Sequence, residues 1–437
     1  MNPTFRSLGD VKPKQNHAVG AKTSLVTGGA VRRDLAGEPL TCAAPGLPSY
    51  DEALGRLLGA VSPLEAEAVG LEAGHGRVLA QPVFAARARP AAALSAMDGY
   101  AIASSDLLAM RDGLKLVGAA YPGAPFVGRL QPGQAVRVTT GATLPDRADR
   151  VIVDEATSAA GGEVRLVAWP GDKAHVRPAG SDFSAGAPLL PVGSVLGPGA
   201  MMAAAAAEAT TLTVVRRPRV RLLVTGDEIA PPSDAARRTP DSVSYGVAAL
   251  IQAWGGEVVD RTYCKDVGEI LLDAVRRQAT HADVLVIVGG ASRSERDLGR
   301  SAAGQAGATL LFEGVRMRPG KPVWAAVLAD RLIVGLPGNP TAALVAARVL
   351  LAPAIAALAG RDARAALDWS EDDSVLVPAA AADRDLFLLA ERRADGTVII
   401  DKQEASGHAA LTRANALVHL RQDGADRTAD PAMCLPL

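Results

Sequence analysis

Val284-Leu285-Val286-Ile287-Val288, running at once into Gly289-Gly290-Ala291-Ser292, is the stretch that sets the fold. An unbroken apolar run rich in β-branched residues suits a strand covered on both faces. A second such run, Leu332-Ile333-Val334, leads into Gly335-Leu336-Pro337-Gly338-Asn339-Pro340. Ligands of open α/β sheets bind beyond the carboxyl ends of the strands, so both runs aim their glycines at one crevice. Asn339 is placed to cap a helix starting at Pro340, whose free amides favour an anion such as a phosphate. Between the two runs lies Met317-Arg318-Pro319-Gly320-Lys321-Pro322. Lys321 offers a mobile cation and Arg318 a bidentate fork. Glu295 and Asp297 are hard oxygen donors suited to Mg²⁺. The stretch reads as a site for a phosphorylated ligand with a metal.

Outward from there, Val220 to Val224 forms another strand, ending in Thr225-Gly226-Asp227-Glu228. Asp241 precedes a helix over about 244–254, which Gly255-Gly256 closes. Glu257 to Asp260 begins a strand, and Lys265-Asp266 precedes a helix over about 267–279. This β-α-β-α-β order predicts a doubly wound domain over 217–360.

Residues 1–46 lack periodicity and read as a tail. Ser49-Tyr50-Asp51-Glu52 has the form of a capping box before a helix with Ala53, Leu54, Leu57, Leu58 and Val61 at helical spacing. Leu71 to Val83 reads as a loop and short strand. Asp98-Gly99 marks a tight turn. Short strands and turns from Lys115 to Val167 predict a small β domain, with Thr139-Thr140-Gly141 inside it. Val176-Arg177, Gly180 and Asp182 follow, then an alanine-rich helix before Thr211. Pro353 is expected to interrupt the long helix after Pro340. Strands at 375–378, 386–390 and 397–400 predict a C-terminal β domain.

The chain has 437 residues, too many for one core. Its net charge of −1 gives no argument for nucleic acid or an acidic membrane. Cys42, Cys264 and Cys434 fit neither a disulfide framework nor a zinc site and suit a reducing cytoplasm. No H-E-x-x-H pattern points to a zinc hydrolase. The apolar run 201–207 is too short to span a bilayer, and no signal peptide is marked.

The chain resembles the molybdopterin molybdenumtransferases, the family of bacterial MoeA and the gephyrin E domain, over roughly 48–437. The motifs are Ser95-Ala96-Met97-Asp98-Gly99-Tyr100-Ala101, Thr140 to Pro145 with Asp149 and Glu155, Val176-Arg177 with Gly180 and Asp182, and Thr225 to Glu228. Gly289-Gly290-Ala291-Ser292 with Asp297, Arg318 to Lys321, and Gly335 to Pro340 complete them. The resemblance implies a multidomain α/β-plus-β chain. Its parts would be an extended linking domain (47–95 and 172–216), a small β domain (96–171), a doubly wound MogA-like α/β domain (217–360) and a C-terminal β-barrel-like domain (361–437). It implies a cytoplasmic, Mg²⁺-dependent homodimer that inserts molybdate into adenylylated molybdopterin and releases AMP, with each site shared between subunits. Molybdopterin adenylyltransferase and molybdoenzyme maturation proteins are the candidate partners.

On this reading the catalytic candidates are Asp98, Asp182, Glu228, Asp266, Asp297 and Lys321. Glu228, Asp266 and Asp297 double as candidate metal ligands. Thr140, Arg177, Gly289, Gly290, Ser292, Arg318, Pro337, Gly338 and Asn339 are candidates for substrate binding. Adenylate cleavage needs charge neutralised around phosphates, which these cations and a metal supply. The chain also departs from the family. Arg293 and Ser294 replace a usual Val-Gly, Arg318 a Lys, Val243 an Asn, Leu94 an Asn, and Leu298-Gly299-Arg300 a Lys-containing helix start. The first of these motivates an alternative: a catalytically weakened paralogue that binds the pterin nucleotide as carrier or scaffold. A pterin adenylyltransferase, whose domain resembles 217–360, is disfavoured by the extra domains.

Overall fold

The computed structural model describes residues 46–234, 238–289, 298–375, 384–401, 403, 407–421 and 432–437. The expected tail, the Gly290-to-Asp297 loop and residues 376–378 lie outside them. At the centre is a six-stranded sheet in the order Glu257–Cys264, Arg219–Thr225, Val284–Val288, Arg331–Leu336, Trp324–Leu328, Thr309–Glu313. The first four strands are parallel; Trp324–Leu328 runs against them and pairs antiparallel with Arg331–Leu336 on one side and Thr309–Glu313 on the other. All five residues of Val284–Val288 are buried. Val284, Val286 and Val288 join one core with Val220, Leu222, Val224 and the Pro340 helix. Leu285 and Ile287 join a second, with Leu271 and Val275 of the Gly268–Ala279 helix. Period-2 alternation thus feeds two apolar layers from one strand, as a doubly wound sheet requires.

Gly335 sits opposite Trp324 in the antiparallel register. A Cβ there would lie 2.0 Å from Trp324 Nε1, so the indole occupies the space of the missing side chain.

Pro353 does not interrupt its helix. The segment Pro340–Leu358 is continuous, with one wider turn at Ala347–Leu351. Proline cannot donate to the carbonyl of Val349, four residues back, and such a wider turn relieves the clash. The Tyr50 hydroxyl, from the N-terminal helix, donates to that carbonyl at 3.2 Å. Among the described residues, this helix rather than 201–207 is the long apolar segment. It is long and apolar enough to cross a membrane, yet 89% of its apolar window is buried inside the protein.

The capping box forms as read: Glu52 N donates to Ser49 Oγ, and Ser49 N to the Glu52 carboxylate. Ala66–Gly70, a strand the sequence reading missed, pairs antiparallel with Thr211–Val215. The small β region is a six-stranded sheet through Gly99–Ile102 and Gln134–Val138. Asp98-Gly99 is not a hairpin turn but the entry to Gly99–Ile102, where a Cβ on Gly99 would lie 2.0 Å from the Ile152 carbonyl oxygen. In the C-terminal sheet, strands form at Asp385–Arg393 and Gly396–Ile399 as expected, but Val375 is in none. Ser370–Asp372, Ala416–Leu420 and Ala432–Pro436 complete it, together with Met317–Arg318, which pairs parallel with Asp385–Arg393.

Asp283, one residue before the central strand, is buried and joins regions far apart in sequence. It accepts from the Arg216 guanidinium at 2.7 and 2.9 Å, from Arg219 N at 2.7 Å and from Arg331 at 3.0 Å. Burial alone would raise its pKa, but the hydrogen bonds from Arg216 and Arg219 outweigh that and hold the carboxyl below its usual range. Its stabilising contribution is therefore full above the unfolded value, about pH 4, and is lost as pH falls below it. Asp283→Asn should cost about 3 kcal/mol at neutral pH and much less near pH 2, measured by denaturant unfolding at both pH values. Gly335→Ala should destabilise by about 3 kcal/mol by the same measurement, through overpacking against Trp324.

Candidate functional site

A cleft of about 700 Å³ opens beyond the C-terminal ends of Arg219–Thr225, Val284–Val288 and Arg331–Leu336. Its walls include Thr225, Glu228, Asp241, Ser242, Asp266, Gly289, Pro337, Gly338, Asn339 and His408. Gly289 has φ +92°, and a Cβ there would meet the Thr225 carbonyl oxygen at 2.7 Å. Glycine therefore lets the chain leave the central strand flush against its neighbour.

Glu228 is exposed and Asp266 half-buried on this wall. The Asp266 backbone N–H donates to Asp227 Oδ1 at 3.3 Å, which orients the Asp266 segment. Their donor set, hard carboxylate oxygens facing a cleft, fits Mg²⁺. Among the described residues no group of three or more His, Cys, Asp or Glu is arranged to hold a metal. The third candidate, Asp297, lies outside them, as do Gly290 and Ser292.

Asn339 occupies the N-cap position, but its side chain makes no capping hydrogen bond, contrary to expectation. Its Oδ1 is buried on the cleft wall without a partner. Leaving such an acceptor unpaired costs about 1–3 kcal/mol, a deficit that a ligand donor can remove. Arg318 and Lys321 are exposed and do not line the cleft, although Pro322, next to Lys321, does.

Asp241 is a structural anchor. Buried, it accepts from Ser244 N at 3.0 Å, from the Tyr263 hydroxyl at 3.0 Å and from the Ser244 hydroxyl. Burial and then the Asp241 contact push the Tyr263 phenol well above its ordinary range. His408 comes from the C-terminal region, its Nε2 2.8 Å from Ser242 Oγ. No local pattern marks His408 in the sequence; tertiary packing brings it here.

Asp98, Thr140, Arg177 and Asp182 form a different group, all exposed and none on this cleft. Thr140 N and Oγ1 donate to Asp98 Oδ1 at 2.7 and 2.9 Å. The strand Leu94–Ser95 pairs with Val176–Arg177 on one side, while Gly141 N donates to the Ser95 carbonyl at 2.8 Å. Asp182 N donates to the Arg89 carbonyl at 3.0 Å. Backbone bonding thus gathers motifs spread from Arg89 to Asp182.

A family profile described as "MoeA N-terminal region (domain I and II)" matches residues 48–207, and one described as "Probable molybdopterin binding domain" matches 221–357. The molybdopterin molybdenumtransferase of Nostoc sp. is 32% identical over 308 residues, 68% of this chain and 71% of that protein. Molybdopterin molybdenumtransferase 2 of Mycobacterium tuberculosis is 33% identical over 304 residues, 65% of this chain and 73% of that protein. The crystal structure of the molybdopterin biosynthesis MoeA protein from Pyrococcus horikosii superposes with a TM-score of 0.73 at 25% identity. It covers 90% of this chain and 99% of that one.

The hydrogen bonds from the Thr140 backbone and hydroxyl hold the Asp98 carboxyl below its usual range. Thr140→Val removes the hydroxyl and keeps the backbone donor. The Asp98 pKa should then rise part of the way to its ordinary value, as read by carboxyl NMR titration.

Proposed function

Because the chain belongs to the molybdopterin molybdenumtransferase family, we propose that it inserts molybdate into adenylylated molybdopterin and releases AMP. The observation that carries this is the cleft at the strand ends, where Glu228 and Asp266 share a wall with the orphaned Asn339 acceptor. Glu228, Asp266 and Asp297 would hold Mg²⁺. A bound Mg²⁺ would neutralise phosphate charge as the adenylate bond breaks. Lys321, next to Pro322 of the cleft lining, and Arg318 would draw in the anionic substrates, molybdate among them. Gly289, Pro337 and Gly338 line the cleft and would bring backbone close to the ligand; Gly290 and Ser292, outside the described residues, are the further binding candidates. The walls bury the reacting bond, which strengthens every charge contact made there.

The Asp98, Thr140, Arg177 and Asp182 face completes the site from a second copy in a homodimer. Two observations support this. Those residues are exposed and none lines the cleft of their own chain, while Thr140 holds the Asp98 carboxylate in place. Phe84, Val192, Val195 and Met202 also leave apolar surface exposed around the Pro198–Ala206 helix. Free Cys264 and Cys434 suit a reducing cytoplasm. An enzyme that adenylylates molybdopterin must supply the substrate, and molybdoenzyme maturation proteins would take the product.

Purified protein with adenylylated molybdopterin, molybdate and Mg²⁺ should release AMP, and Asp266→Asn should cut that release roughly 100-fold without lowering thermal stability. No release by the wild type would overturn the proposal. Asp98→Ala and Asp266→Ala homodimers should each be inactive. Mixed and refolded together, they should recover about a quarter of wild-type activity by two-fold symmetry, and no recovery would refute a shared site. The weakened-paralogue reading rests on Arg293 and Ser294. It gains support if Arg293→Val with Ser294→Gly accelerates AMP release, and loses it if the rate is unchanged.

A further inference from the structure

The cleft is walled by the α/β region except at one place. Among the described residues, His408 is the one lining residue drawn from beyond residue 340. Its short helix, His408–Leu411, is seated by Ala410, which is buried in the main core with Leu411 and Ala414 packed around it. That anchoring turns His408 outward to the rim, where Nε2 meets Ser242 Oγ at 2.8 Å. The ring is exposed, and Nδ1 has no partner among the described residues. An imidazole held by one nitrogen presents the other at a fixed place.

We infer that His408 is a substrate-contacting residue, which hydrogen-bonds a polar group of the pterin nucleotide from the C-terminal side of the cleft. The inference rests on the proposed transferase reading and adds a residue to it. The contact is made on binding and is retained in the transition state, so it acts on affinity rather than on the chemical step. In the full-length protein, His408→Ala should raise KM for adenylylated molybdopterin about tenfold while kcat stays within about twofold. His408→Asn, whose amide sits near the position of Nδ1, should recover part of that loss. Thermal unfolding of both variants should match the wild type, since the ring is exposed. An unchanged KM in His408→Ala would overturn the inference, as would a loss of kcat at constant KM. So would an Asn variant as weak as the Ala variant. Each of these results requires wild-type AMP release, so failure of the transferase reading appears separately, as an inactive wild type.

Discussion

The structure depends on one requirement: a parallel strand with no access to water must have both faces covered. Val284–Val288 meets it by sending alternate side chains into two separate apolar layers. Burying a side chain of this size fully is worth about 1.5–3 kcal/mol, so five in succession dominate the local energetics. Once that strand is fixed, its register fixes Arg219–Thr225 on one side and Arg331–Leu336 on the other. Their ends then stop level, and the loops that follow them become the cleft. The chemistry is placed by hydrophobic burial several residues away.

Contacts between regions distant in sequence finish the arrangement. Asp283 gathers three arginine segments, Tyr50 serves a carbonyl in the Pro340–Leu358 helix, and Met317–Arg318 is shared with the C-terminal sheet. Each joins a residue in one part of the chain to a backbone or charge that another part leaves unsatisfied. Buried polar groups seldom go unpaired, so such joints are strong constraints on relative placement. Among the described residues six buried side-chain atoms lack a partner, and the one acceptor among them, Asn339 Oδ1, lies in the cleft.

Hydrophobic patterning made the central sheet legible, because Val284 to Val288 and Leu332 to Val334 are apolar without interruption and Val220 to Val224 is broken only by Arg221. The capping box at Ser49 was legible for the same local reason. Trp324–Leu328 and Thr309–Glu313 were not, because short strands beside glycine and proline motifs look like loop. Pro353 misled because local sequence shows the lost donor but not the wider turn or Tyr50. Asp98-Gly99 misled because a turn and a close approach to Ile152 demand the same glycine. Of the site candidates, Glu228, Asp266, Gly289, Pro337, Gly338 and Asn339 do share one cleft. His408 escaped, since its place follows from the packing of Ala410 and Leu411 onto the main core.

The pairing of Ala66–Gly70 with Thr211–Val215 has a consequence for how the chain is made. The first strand leaves the ribosome roughly 140 residues before its partner, which at about 5–20 residues per second is an interval of about 7–28 s. Throughout that time its edge is open to other chains. The intervening residues include the whole small β sheet, which is closed within itself by local pairings and can form meanwhile. Ala66, Ala68 and Gly70 on the exposed face carry at most a methyl group, and Glu67 beside Val69 puts a charge on the other, so the waiting strand offers little apolar surface. The linking region is thus a late-closing clasp around an early-folding insert, and synthesis rate sets how long it stands open.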